Sequence, residues 1–121
     1  MKVLVVDDHG LIRQAMHGVL KRLRRDIVVL EASSSDDAFR VIEKNPDINL
    51  VLLDLTLPDR DGFSVLSDLR SKYPAISVVV LSAVQDPLQV MKAFDLGVMG
   101  YIPKSADSEL PKKIRANLAL L

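Results

Sequence analysis

Short apolar runs at 2–6, 27–31, 50–54, 77–82 and 99–103 alternate with segments in which apolar residues recur every three or four positions. The runs are rich in Val, Leu and Ile and show little polar alternation, which predicts strands buried on both faces of a parallel sheet. The intervening segments read as helices. Over 10–24, Leu11, Ile12, Ala15, Met16, Val19, Leu20 and Leu23 fall on one stripe. Over 35–44, Ala38, Phe39 and Ile42 point inward, and Asn45-Pro46 ends the helix. A third helix is expected over 62–72, after the turn-rich Pro58-Asp59-Arg60-Asp61-Gly62. The fourth opens with Asp86 as a cap and Pro87 at the first helical position. The last should start near Ser108, which puts Pro111 in its first turn, where a missing N–H costs little.

Strand followed by helix, five times over, predicts a doubly wound α/β sandwich with right-handed crossovers and helices on both faces of the sheet. No internal linker, repeat or low-complexity segment interrupts the 121 residues. The closing Leu118-Ala119-Leu120-Leu121 has no glycine stop and no basic last turn. It is expected either to pack on the core or to mark a truncation ahead of a linker.

In sheets of this kind ligands bind outside the carboxyl ends of the strands. The apolar runs stop there on chemistry: Asp7-Asp8 after Val6, Asp54 after Leu53, Ser82 after Leu81, and Lys104 after Pro103. Neighbouring parallel strands would bring three carboxylates, a hydroxyl and an ammonium to one edge. Two unit charges ~4 Å apart cost about 4 kcal/mol at an effective dielectric near 20, so such a cluster calls for a cation. Asp54 is the expected nucleophile, since a carboxylate can attack phosphorus and form an acyl phosphate. Asp7 and Asp8 are expected to hold Mg²⁺, which takes hard oxygen ligands and neutralises charge on a transferring phosphoryl group. Lys104 supplies a compact positive charge and Ser82 a hydrogen-bond donor for phosphate oxygens. Taken singly, each has a plainer reading: a turn or cap for the acids and the serine, a solvated loop for the lysine. Their common position at successive strand ends outweighs those readings.

Composition narrows the picture. Sixteen basic residues balance sixteen acidic ones, which removes any long-range pull toward nucleic acid or anionic lipid. The absence of cysteine excludes disulfides and thiolate metal sites. No apolar run suits a signal peptide or a membrane span, so a cytoplasmic domain without membrane partners is expected. Lys21, Arg22, Arg24 and Arg25 read as cations at a helix C-terminus rather than a nucleic-acid patch. His9 and His17 read as surface residues of the first helix, with His9 close enough to touch the acid pair.

Val5-Val6-Asp7-Asp8, Asp54 through Gly62, Leu81-Ser82-Ala83 and Gly97 through Lys104 together resemble the receiver domain of bacterial two-component response regulators. The resemblance covers the whole chain. It implies a flavodoxin-like (βα)₅ fold with strand order 2-1-3-4-5. It also implies Asp54 as phosphoacceptor, Asp7, Asp8, Asp54 and the Thr56 carbonyl as Mg²⁺ ligands, and Ser82 and Tyr101 as switch residues beside Lys104. The implied partners are a sensor histidine kinase or phosphotransfer protein, with a homodimer forming on phosphorylation. His9 after the acid pair, and Tyr101 through Ala106, are most similar to the LuxR/NarL-like subfamily. In that subfamily DNA is bound through a C-terminal helix-turn-helix domain, absent from this sequence. One departure is Ser105, where many receivers have proline, which leaves the isomer of the Lys104–Ser105 bond open.

Two other functions compete with this one. A Mg²⁺-dependent phosphohydrolase of the haloacid dehalogenase kind would need a second acid two residues after Asp54, where this chain has Thr56. A phosphorylation-independent binding module would not need so complete a site. Rossmann-type nucleotide binding fails for want of a glycine-rich turn after the first strand.

Overall fold

A computed structural model of the chain describes residues 1–83, 86–104 and 110–121. Five strands and five helices alternate: β1 (Lys2–Val6), α1 (Gly10–Leu23), β2 (Val28–Ala32), α2 (Ser35–Lys44), β3 (Leu50–Asp54), α3 (Gly62–Lys72), β4 (Ser77–Ser82), α4 (Pro87–Asp95), β5 (Gly100–Pro103) and α5 (Leu110–Leu118). The strands form one parallel sheet of order β2-β1-β3-β4-β5, as the resemblance implied.

Alternate strand residues feed two cores, one on each side of the sheet. Leu4, Val6, Val51, Leu53, Val78 and Val80 face Ala38, Ile42, Val65, Leu66, Leu69 and Ala93 of α2, α3 and α4. Val3, Val5, Leu50, Leu52, Val79 and Leu81 face Met16, Leu20, Ile114 and Leu118 of α1 and α5. Each fully buried Leu or Ile removes enough apolar surface to contribute about 1.5–3 kcal/mol. The central strands are therefore fixed in register, because a one-residue slip would exchange the two cores.

The expected burial on both strand faces holds for β1, β3 and β4 but not for β2. At the sheet's edge, Val28 is 46% exposed and Glu31 also faces solvent. An edge strand has one neighbour, and apolar composition does not distinguish it from a central one. The α1 stripe is narrower than its periodicity suggested: Met16 and Leu20 are buried, whereas Ala15 is exposed and Leu11 is 80% exposed.

Local signals set the helix ends. Asp86 caps α4 by accepting from the N–H of Leu88 at 3.0 Å, with Pro87 next, as expected. Gly97 follows α4 at φ +90°, a conformation L side chains avoid. Ser34 caps α2, accepting from the Asp37 N–H at 3.2 Å. At the end of α1, Lys21 Nζ donates to the Ile27 carbonyl and Arg24 pairs with Asp26 at 2.9 Å, in keeping with a helix-end role for the basic run. The α5 start expected near Ser108, the Lys104–Ser105 bond and Ala106 lie outside the described residues. At the C-terminus Leu118 packs into the core, while Leu120 and Leu121 are exposed.

Candidate functional site

Parallel pairing puts the carboxyl ends of β1, β3, β4 and β5 side by side. The register sets Asp54 against Leu81 and Ser82 against Pro103. The Asp7 N–H bonds the Ala32 carbonyl at 3.0 Å, and the Lys104 N–H bonds the Ser82 carbonyl at 2.7 Å. The loops therefore leave the sheet edge from anchored positions.

At the floor lies a buried group of three charges. Lys104 Nζ is 2.5 Å from Asp7 Oδ2 and 3.0 Å from Asp54 Oδ2. The Asp7 and Asp54 side chains are 1% and 2% exposed. Distance makes these ion pairs, yet among the described residues neither Oδ2 has a hydrogen-bond partner of proper angle. The other oxygens are satisfied: Asp7 Oδ1 accepts the His9 N–H at 2.9 Å, and Asp54 Oδ1 accepts the Thr56 N–H at 2.9 Å.

Folding pushes the two acids in opposite directions. Burial would raise the Asp7 carboxyl, but the Lys104 ammonium and the His9 N–H outweigh it and hold Asp7 below its ordinary range. Burial dominates at Asp54 and, helped by the nearby Asp7 charge, raises it despite the Thr56 N–H and Lys104. Burial opposes the charge on Lys104, but its two carboxylate partners raise its pKa nonetheless. Asp54 thus carries the more basic of the two buried carboxylates.

Asp8 stands at the mouth with its side chain 35% exposed. Ligand atoms of Asp7, Asp8, His9 and Asp54 all lie within 4.8 Å of one another. A small hard cation fits this donor set. The carboxylate oxygens suit it chemically, and two of them are buried with no aligned donor among the described residues. His9, expected at the surface, is 63% exposed, yet its Nδ1 lies 3.0 Å from Asp7 Oδ1 and 3.1 Å from Asp8 Oδ1.

Ser82 is buried at the last position of β4. Tyr101 is half-buried on β5 and shares a shallow apolar groove with Pro87, Val90, Met91 and Pro103. Thr56 is exposed and pairs with Asp61 in an isolated antiparallel bridge. Two residues were missed in the sequence. Arg13 donates to the Asp7 carbonyl at 2.6 Å and pairs with Glu31 at 3.2 Å, bracing the β1–α1 loop. Asp59 reaches across to the start of α2. No local pattern marks Arg13, whereas Asp59 sits in a turn-rich stretch that hid its reach.

With this geometry in hand, comparison with known proteins defines the class. Residues 3–115 match the response regulator receiver domain, and the chain belongs to that family of signal-transduction switches of two-component systems. It is 38% identical over 105 residues to the glycerol metabolism activator of Pseudomonas putida, covering 87% of this chain and 48% of that protein. It is 30% identical over 115 residues to a chemotaxis protein CheY homolog of Campylobacter jejuni, covering 93% and 88% of the two chains. A two-component response regulator of the LuxR family from Aurantimonas sp. SI85-9A1 superposes with TM-score 0.84 at 31% identity, covering 98% and 84%. The chain spans about half the length of the first curated relatives it matches. Among the described residues no helix is long and apolar enough to cross a membrane.

Proposed function

We propose that this chain takes a phosphoryl group onto Asp54 in a Mg²⁺-dependent reaction, the donor being a phosphohistidine on a sensor kinase or phosphotransfer protein in the cytoplasm. An Asp54 oxygen attacks phosphorus, the P–N bond breaks, and its electron pair leaves with the donor imidazole. The product is an acyl phosphate, and the chain catalyses only its own phosphorylation and dephosphorylation. Asp7, Asp8, Asp54 and the Thr56 carbonyl would hold the ion, which when bound neutralises charge on the transferring group. Lys104 balances the buried carboxylates before transfer and binds a phosphate oxygen after it. The observation that carries the reading is the Lys104 ammonium seated between Asp7 and Asp54 at 2.5 and 3.0 Å.

The output follows from the neighbours of Asp54. Phosphate adds charge and strong acceptors, so the Ser82 hydroxyl is drawn toward it. The space released lets Tyr101 turn further inward from its half-buried place. That reshapes the α4–β5 face, where Leu88, Met91 and Phe94 leave large apolar side chains exposed. A homodimer through this face, and transcriptional control through a LuxR/NarL-like DNA-binding domain, complete the proposal. The name of the Pseudomonas relative, an activator, supports the latter.

The test is the intact mass after incubation with acetyl phosphate and Mg²⁺. One added phosphoryl group is expected, labile to base, absent in Asp54→Asn and absent with a chelator. Continuous phosphate release from many esters would favour a hydrolase instead. No adduct from acetyl phosphate or a phosphohistidine donor would favour a binding module.

A further inference from the structure

The β3–α3 loop carries a carboxylate that the proposed chemistry does not use. Asp59 accepts from the Ser35 hydroxyl at 2.6 Å, the Ser35 N–H at 3.1 Å and the Asp36 N–H at 3.2 Å. Ser35 is fully buried and opens α2. Asp59 therefore occupies the electropositive end of a helix from another part of the chain. The Ser35 hydroxyl and N–H, with the Asp36 N–H, bring its carboxyl down to about 2. It is ionised, and the tie is in place, at any physiological pH.

The rest of the loop is equally constrained. Thr56 and Asp61 bridge its two sides, and Gly62 lies so close to Leu55 that a Cβ there would be 2.1 Å from the Leu55 carbonyl oxygen. Residues 55–62 thus form a closed clasp, with Thr56 bonded to Asp54 at one side and Asp59 bonded to α2 at the other. The α2 start is joined through Ser33 and Ser34 to Ala32, whose carbonyl receives the Asp7 N–H. Asp59 therefore ties the loop beside Asp54 to the segment that fixes Asp7.

We propose that Asp59 is a positioning residue for the phosphoacceptor site: by anchoring the 55–62 clasp on α2, it holds Thr56 against Asp54 and keeps the Thr56 carbonyl available to the cation. This rests on the reading of Asp54 given above. Asp59 touches none of the reacting atoms and acts only through Thr56.

The experiment compares wild type, Asp59→Ala, Asp59→Asn, Ser35→Ala, the Asp59→Ala/Ser35→Ala double variant and Ser34→Ala. Thr56 amide exchange is read by NMR without metal, and Mg²⁺ affinity by calorimetry. Asp59→Ala is expected to speed Thr56 exchange and to weaken Mg²⁺ about tenfold, the scale for losing a group that orients a metal ligand. Asp59→Asn keeps an acceptor oxygen and recovers part of both. Ser35→Ala moves both readouts the same way, and the double variant is no worse than Asp59→Ala. Ser34→Ala removes a cap from the same helix, so it lowers Tm and leaves both readouts unchanged. A lower Tm in Asp59→Ala with wild-type exchange and wild-type Mg²⁺ affinity would overturn the proposal and leave Asp59 a helix cap. If wild type binds no Mg²⁺, the reading of the site fails, and Thr56 exchange alone decides the anchoring role.

Discussion

Asp54 ends β3 and Asp59 lies five positions on, in the loop that follows, and folding moves their proton affinities in opposite directions. Asp54 forms part of a buried floor where, among the described residues, its one aligned hydrogen bond is to the Thr56 N–H, so the cost of removing its charge from water prevails. Asp59 lies on the exposed rim with three donors at a helix start, so hydrogen bonding to the anion prevails. The floor is a place where the fold tolerates unfavourable electrostatics. The rim is a place where it removes them. The role proposed for Asp54 falls on the unfavourable side of that division, as expected when local rules are broken at working sites.

The contrast is broken most completely at Asp54. Asp54→Asn is expected to abolish phosphorylation by acetyl phosphate and yet to stabilise the fold at neutral pH, by of order 1 kcal/mol. A carboxyl raised by folding contributes stability below its unfolded value of 3.8, and that contribution is lost as pH rises through the folded value. The gain of the Asn variant in Tm should therefore shrink on acidification.

Lys104→Met tests the floor from the other side. It leaves Asp7 and Asp54 without their buried counter-charge, and urea unfolding at pH 7 should show a loss of about 3 kcal/mol. Mg²⁺ should restore part of it.

The rim responds to pH with the opposite sign to Asp54. Asp59 falls from 3.8 to about 2 on folding, so its contribution is present above 3.8 and disappears as pH falls through 2. Discounted for its exposure, the tie is worth about 1 kcal/mol. The difference in stability between wild type and Asp59→Ala, followed from pH 6 to pH 2, should close over that window. The smallest effect belongs to Leu11→Ala. At 80% exposure its removal should change stability by no more than about 0.5 kcal/mol, despite its place in the apolar periodicity of α1.

The two regions also differ in how far they could be read beforehand. The floor was legible because each of its residues ends or directly follows a strand, and parallel pairing alone brings strand ends together. Asp7, Asp54 and Lys104 meet as that reasoning requires. The rim was not. Asp59 belongs to a Pro-Asp-Arg-Asp-Gly stretch whose residue types all suit a turn, and nothing local reveals that one of them reaches α2. Arg13 was hidden for a similar reason, since its contact with the Asp7 carbonyl depends on the loop's shape rather than on periodicity. In the fold itself, strand and helix order followed from alternating apolar runs. The exposed edge at β2 and the outward Leu11 did not, because composition measures how apolar a segment is and not how many neighbours it has.

The most direct measurement is to locate the phosphoryl group. After reaction with acetyl phosphate and Mg²⁺, borohydride reduces an aspartyl phosphate to homoserine, and peptide mass spectrometry finds the converted residue. Conversion at Asp54 alone, lost with a chelator, is the predicted result. Conversion at Asp7, Asp8 or Asp59, or none at all, would contradict the account.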